Sequence, residues 1–387
     1  MDEETIKIKK VDLRRTRTWS PPFPICPTGR SLDLKINDHS KIDLELFSRL
    51  EYLSEIQEMG LLRIAQINPV NSTEENWLSF RAFIRQAKLY YFSAKEQSSS
   101  ISSLNFFYSF LNLVKAYCSL HSPEKISGHI KHGLSLGGSF SDVFEQDISL
   151  HPDGVMSIFY ELVTNIKIDK KSTFPVQSLL SYCSDISFEY GHSVPNPEVK
   201  ISLAKLAVTG ESEYKTRTLL AMSNFEYILK NELLNQSVQK NFEQIDLSTQ
   251  QASDIFQIKL NEFKVYSFLQ SKEEDLPFMS TVGISKGCYE IFSPFVSFYL
   301  IRCSDCSKIN LPLKNTEGVD VILNEYLAIY GFMFYVSELV RYNPKVIQDN
   351  LSKPQGWLME RFIINTPQTF LRYMVNLISG DDFLFYT

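Results

Sequence analysis

Apolar residues recur along this chain with helical spacing near both ends and with no steady period in the middle. The first helical pattern covers 43–59 and is expected to stop at Gly60, since a glycine after the last periodic residue suits a helix C-cap. A second begins at Asn71-Ser72-Thr73-Glu74-Glu75, where Ser72 and Glu75 stand at capping-box spacing. Its helix brings Trp77, Ile84, Ala87, Tyr91 and Ala94 to one face and is expected to end in the polar stretch 97–100.

The next pattern, over 102–120, is apolar almost all round. Leu104, Phe107, Leu111, Val114 and Cys118 form one stripe, and Phe106, Phe110, Leu113 and Tyr117 form another. Such a helix belongs inside a bundle. Asn105, Ser109 and Asn112 share a narrow polar face of it and need hydrogen-bond partners there, with the His-Gly loop that follows as one source. Helical spacing returns over 319–342, stopped ahead of Asn343-Pro344, and over 357–379 with an expected interruption at Pro367.

Between about 145 and 310 the β-branched and aromatic runs 199–208 and 256–268 suggest strands, while 230–253 is polar and suits a surface helix or a connection. These patterns predict a mainly α (α+β) protein. Residues 1–145 would form an extended segment and a helical bundle, 146–310 a mixed α/β region, and 311–387 C-terminal helices packing on the bundle.

Composition supports a folded chain. Of 387 residues, 44% are hydrophobic and 13% aromatic, enough apolar surface for a large core. The net charge is −6, so a nucleic-acid partner would have to meet a local basic patch. Two such patches exist: the segment 7–17, with Lys7, Lys9, Lys10, Arg14, Arg15 and Arg17, and the ridge Arg81, Arg85, Lys88 and Lys95. The ridge could hold phosphates, or it could be the solvated side of an amphipathic helix. The acidic start lacks the pattern of a signal peptide, and no apolar run approaches the roughly 20 residues that span a bilayer. Six scattered cysteines read as reduced thiols. A cytoplasmic protein without a membrane partner is the expectation.

Candidate chemistry is sparse. His121, His129 and His132 lie close in sequence, and an imidazole can work as acid, base or metal ligand near neutral pH. In a catalytic reading His132 is the acid/base, with Asn112 and Lys115 orienting substrate; in the structural reading the histidine packs on the preceding helix. Cys303 and Cys306 have the spacing of half a zinc site, without a second pair. No phosphate-binding glycine loop, dinucleotide fingerprint, nucleophile elbow or His-Glu-x-x-His motif occurs, so no metal or cofactor is assigned.

Four segments carry a resemblance. Arg85-Gln86-Ala87-Lys88-Leu89-Tyr90-Tyr91, the string from Phe107 through Asn112 to Ala116, His132-Gly133-Leu134-Ser135 and the block Ser337 to Pro344 together resemble the YaaC family of uncharacterised bacterial proteins. That resemblance implies a shared fold and no assigned reaction. A weaker similarity is to HEPN-type helical domains, many of which are RNA-cleaving toxins or partners in defence systems. Their signature, an Arg followed at close spacing by His, is missing at each of the six histidines. The expected function is therefore a non-catalytic binding or accessory module for a macromolecular partner, in bacterial stress or phage defence. The partner would be a protein or, in a homo-oligomer, a second copy of the chain. Two alternatives stay open: an RNA- or nucleotide-acting enzyme using the His132 loop, and a salt-sensitive nucleic-acid binder using Arg81, Arg85 and Lys88.

Overall fold

The computed structural model describes residues 9–10, 17–18, 22–27, 31–35, 38–137, 143–198, 200–212, 215–272, 281–298, 306–314, 318, 320–350 and 352–386. Lys7, Arg14, Arg15 and Cys303 lie outside them. The architecture is mainly α (α+β), as the spacing predicts. The chain divides into two compact units, a sheet unit of Met1–Leu34, Val199–Pro312 and Asp382–Tyr386 and a helical unit of Lys35–Glu198 and Leu313–Asp381. This grouping cuts across the linear three-part order. Residues 146–198 belong with the helices, because the helix that follows the short 147–150 strand packs on the aromatic helix of the bundle.

The helical unit is built on α1 (Ile42–Glu55), α2 (Gln57–Ile67), α3 (Glu74–Lys95), α4 (Ser99–His121), α5 (Val155–Thr164), α6 (Glu325–Tyr342) and α7 (Pro354–Ser379). The nearly all-apolar α4 is central and packs against α3, α5, α6 and α7. Phe110 stacks on Phe370 of α7 at 3.9 Å between ring centroids, and Phe107 meets Phe334 of α6 at 5.5 Å. The predicted face of α3, from Trp77 to Ala94, is buried. Beside α6 lies a three-stranded antiparallel sheet of Leu134–Gly137, Asp147–Leu150 and Ser172–Pro175.

Three local expectations need correction. Gly60 does not cap a helix. The chain bends at the extended residue Ile56, and Gly60 sits inside α2. A Cβ there would lie 2.3 Å from Trp77 Cδ1 and 2.4 Å from the Leu53 carbonyl oxygen, so the glycine is a notch for the indole. The cap of α3 is Thr73, whose hydroxyl accepts from the Asn76 amide, while the Ser72 hydroxyl donates to the Leu61 carbonyl. Finally, α7 runs unbroken through the buried Pro367. Packing on α1, α4 and α6 outweighs the one intrahelical bond the proline removes.

The sheet unit holds an eight-stranded sheet centred on the hairpin Ile201–Ser212 and Lys215–Ser223. Tyr266–Ser271 and Phe242–Asp246 extend one side, antiparallel; Ser307–Asn310 and Val296–Phe298 extend the other. The polar stretch 230–253 forms helix Glu232–Asn241, strand Phe242–Asp246 and the start of helix Thr249–Phe256. One sheet face buries Ala207, Leu219, Ala221, Ile245 and Phe268 against Ile255 and Phe256 of that last helix. Helix Thr281–Phe292 serves the opposite face, where Phe292 stacks on Phe242 at 6.1 Å.

Candidate functional site

The segments that carry the family resemblance converge in the helical unit. The Ser109 hydroxyl of α4 donates to the Ala87 carbonyl of α3 at 2.9 Å. The His132 ring meets Phe107 of α4 edge-on at 6.3 Å and lies 4.9 Å from the Phe334 ring of α6. One and two helical turns on from Phe334 come Glu338 and Arg341, an ion pair at 3.0 Å. Arg341 also lies over the Tyr342 ring.

The backbone explains why glycine follows His132. Helix α5 begins at Gly154 without a side-chain cap, and its first two amides are orphan donors. The Lys131 carbonyl accepts from Val155 N at 2.9 Å and the His132 carbonyl from Met156 N at 3.0 Å. To deliver them, the chain passes so close to Gly154 that a Cβ on that residue would meet the Gly133 Cα at 2.5 Å. Both glycines have positive φ, 85° at Gly133 and 130° at Gly154. His-Gly is therefore a backbone cap for α5.

The His132 side chain is constrained as well. Its Nδ1 accepts from the Leu134 amide at 3.2 Å, which leaves the proton of the neutral ring on Nε2. Burial lowers its pKa, and Arg341 and His151 lower it further. At neutral pH the ring is thus an uncharged donor at Nε2, and accepting a proton there requires a change of tautomer. Asn112 turns its amide back to the Tyr108 carbonyl of its own helix at 2.8 Å. The Lys115 ammonium lies 5.9 Å from the centre of the Phe83 ring on α3, and burial lowers its pKa. No hydrogen bond joins Asn112 or Lys115 to His132 among the described residues. The polar face of α4 is braced by α3 and its C-terminal turn, since Asn105 reaches Gln97 Oε1 at 3.0 Å, and not by the His-Gly loop.

The three neighbouring histidines do not cluster. His129 is exposed, and His121 lies against Tyr117 at 4.5 Å, its pKa pushed down to about 4 by burial and then by Arg63. Strand pairing supplies a different neighbour. The His151 Nε2 and the Ser135 hydroxyl are 2.6 Å apart across the 134–137 and 147–150 strands. That is the spacing of a nucleophile and its base. No described residue hydrogen-bonds Nδ1 of His151, the position an orienting third group would take. No group of three or more metal-ligating side chains gathers among the described residues.

The basic ridge is real but paired. Arg81 and Arg85 both clasp Glu55 at the end of α1, at 2.8 and 2.7 Å, and hold its carboxyl down to about 2 by their hydrogen bonds. Lys88 binds Glu51 at 2.5 Å, and Lys95 binds the buried Asp43 at the same distance. Three cations, Arg81, Arg85 and Lys88, thus face two carboxylates.

Sequence spacing held no sign of a buried polar network on α6 and α7. Glu325 is fully buried; one carboxylate oxygen accepts from the Ser184 amide and hydroxyl at 2.8 and 2.7 Å, the other from the Tyr373 hydroxyl at 2.5 Å. Gln368 bridges Asp43 and the buried Arg372. The residues of this network come from four separated stretches of chain, so only tertiary packing brings them together.

The chain belongs to the YaaC-like protein family, whose model matches residues 61–378. No curated protein and no solved structure matches it. The similarity to HEPN-type domains has no counterpart in these comparisons. Among the described residues no helix is long and apolar enough to cross a membrane.

Proposed function

We propose that this YaaC-like chain is a non-catalytic binding module whose helical unit docks on a protein partner through the outer faces of α1 and α3. The observation that carries this reading is the apolar surface those helices leave uncovered. Leu44 and Tyr52 on α1 and Leu78, Leu89 and Tyr90 on α3 are all exposed, Leu89 at 72%. Burial of such surface is worth about 25 cal/mol per Å², so a partner covering it gains free energy that solvent does not supply. Tyrosine and arginine beside leucine is also the mixture found at the anchors of protein interfaces.

The remaining candidate chemistry is engaged within the fold. His132 is held as a donor by Leu134 and packed on two phenylalanines, and the cations of the ridge sit on Glu51 and Glu55. A net single positive charge from three cations and two carboxylates is a poor phosphate track, which favours protein over nucleic acid.

The test is the mass of the native species in lysate of the source cells, compared between the wild-type chain and a Leu78→Glu/Leu89→Glu variant. The wild type is expected in a species heavier than the 44.7 kDa chain, insensitive to nuclease, and the variant at its own mass. A wild type that runs alone, or a heavier species that survives the double substitution, overturns the reading. Loss of the heavier species on nuclease treatment would instead make it a nucleic-acid binder.

A further inference from the structure

Of the cations in the family segments, Arg85, Lys88 and Arg341 each reach a carboxylate. Lys115 is the exception. Among the described residues it makes no ion pair and no hydrogen bond, although its side chain is half-buried. The Phe83 ring, 5.9 Å away, stands at the outer limit of a cation–π contact, about 6 Å. Burial of an ammonium without a counter-ion favours the neutral amine, and the Lys115 pKa is lowered for that reason. An apolar side chain of similar length would occupy the position without that cost, so packing alone does not call for lysine.

Lys115 stands at one end of a groove between α3 and α4. On α4, Tyr108, Asn112 and Lys115 follow one another at i, i+4 and i+7; on α3, Phe83 and Tyr90 share the facing side at i and i+7. Phe83 meets Lys115 at one end, and Tyr90 meets Tyr108 at the other with ring centroids 5.3 Å apart. Seven residues of helix put about 10 Å between these ends. Phe83, Tyr108 and Lys115 are half-buried and Tyr90 is exposed, so the groove is open to solvent. Leu89, beside Tyr90, continues it onto the outer face of α3.

Charge decides the occupant. A nucleic acid draws its affinity from several cations along its phosphates, and the ridge cations Arg81, Arg85 and Lys88 are already held by Glu51 and Glu55. One cation beside aromatic rings matches one carboxylate flanked by an apolar side chain.

We propose that this groove anchors the docking face assigned above and receives an acidic–apolar segment of the partner protein. An Asp or Glu carboxylate of the partner pairs with Lys115, and a neighbouring apolar side chain lies on Tyr90, Tyr108 and Leu89. The proposal rests on the reading of α3 as part of that docking face.

The test uses the full chain as bait for a library of random short peptides displayed on phage. Enriched peptides are expected to carry Asp or Glu next to Leu, Ile, Phe or Trp. The best of them is then synthesised and titrated by fluorescence anisotropy. Lys115→Glu is expected to weaken its binding about tenfold or more, and Lys115→Arg to keep it within about threefold. Exchanging the peptide's Asp or Glu for Asn or Gln should cost as much as Lys115→Glu. That exchange leaves the protein unaltered, so the test stands even if the Lys115→Glu chain fails to fold. The proposal is overturned if no peptide is enriched, if the enriched peptides lack acidic residues, or if the exchanged peptide binds as the acidic one does. It is equally overturned if Lys115→Glu binds as the wild type does. A purified chain that dimerises through Lys115 on its own also overturns it, since the occupant is then a second copy. The docking face is judged separately. A heavier species lost in Leu78→Glu/Leu89→Glu but kept in Lys115→Glu removes the anchor and leaves the face standing.

Discussion

Glycine serves opposite ends in the two units. Gly133 and Gly154 allow two backbones to touch, and the space they create is filled by the capping carbonyls of Lys131 and His132. Gly287, on helix Thr281–Phe292 of the sheet unit, has nothing within 4 Å of where a Cβ would stand and borders a cleft of about 360 Å³. The same contrast holds for charge. In the helical unit Arg81, Arg85, Lys88 and Lys95 all reach carboxylates, whereas in the sheet unit the Lys272 ammonium donates to the Gln239 carbonyl at a helix end. The chemistry most visible in the sequence is engaged in holding the helical unit together.

The sharpest way to break this comparison is Gly154→Ala. It forces a methyl onto the Gly133 Cα and an L side chain into a φ of 130°, so a loss of about 3 kcal/mol or more is expected in urea unfolding. A loss below about 1 kcal/mol would mean the loop does not need its close approach.

A smaller effect is expected from pH. The His121 pKa is about 4 when folded, below the ordinary 6.5, so the unfolded chain binds the proton first. The contribution of this group is present above pH 6.5 and is lost progressively as pH falls toward 4. Stability at pH 5 should be about 1–2 kcal/mol below that at pH 7, and His121→Phe should flatten the difference. An unchanged slope in that variant would assign the loss to other groups.

The smallest expected change is at Gly287→Ala. With open space around the new methyl and a helical backbone, it should leave stability unchanged or raise it by about 0.5–1 kcal/mol. A loss comparable to that at Gly154 would erase the distinction between the two units.

Much of the helical unit was legible in the order of residues. The period of α3 and the all-round apolarity of α4 identify a packed helix and a central one, because burial follows spacing. The corrections share one cause. Gly60, Ser72 and Pro367 each carry a strong local preference, and each is overridden by a partner distant in sequence: Trp77, the Leu61 carbonyl, and the helices around α7. His121, His129 and His132 lie close in sequence but do not cluster in space, while strand pairing placed His151 near Ser135.

By itself the sequence determined the helical periods, the apolar character of α4 and the family to which the chain belongs, since these depend on residue type and spacing. Only the tertiary structure decided what the polar groups do. It put Glu55 between two arginines, buried Glu325 under Ser184 and Tyr373, made His-Gly a cap for α5 and left the cleft at Gly287 open. Hydrogen bonds and cavities depend on distances of a few ångströms between residues far apart in the chain, and spacing along the sequence does not encode those distances.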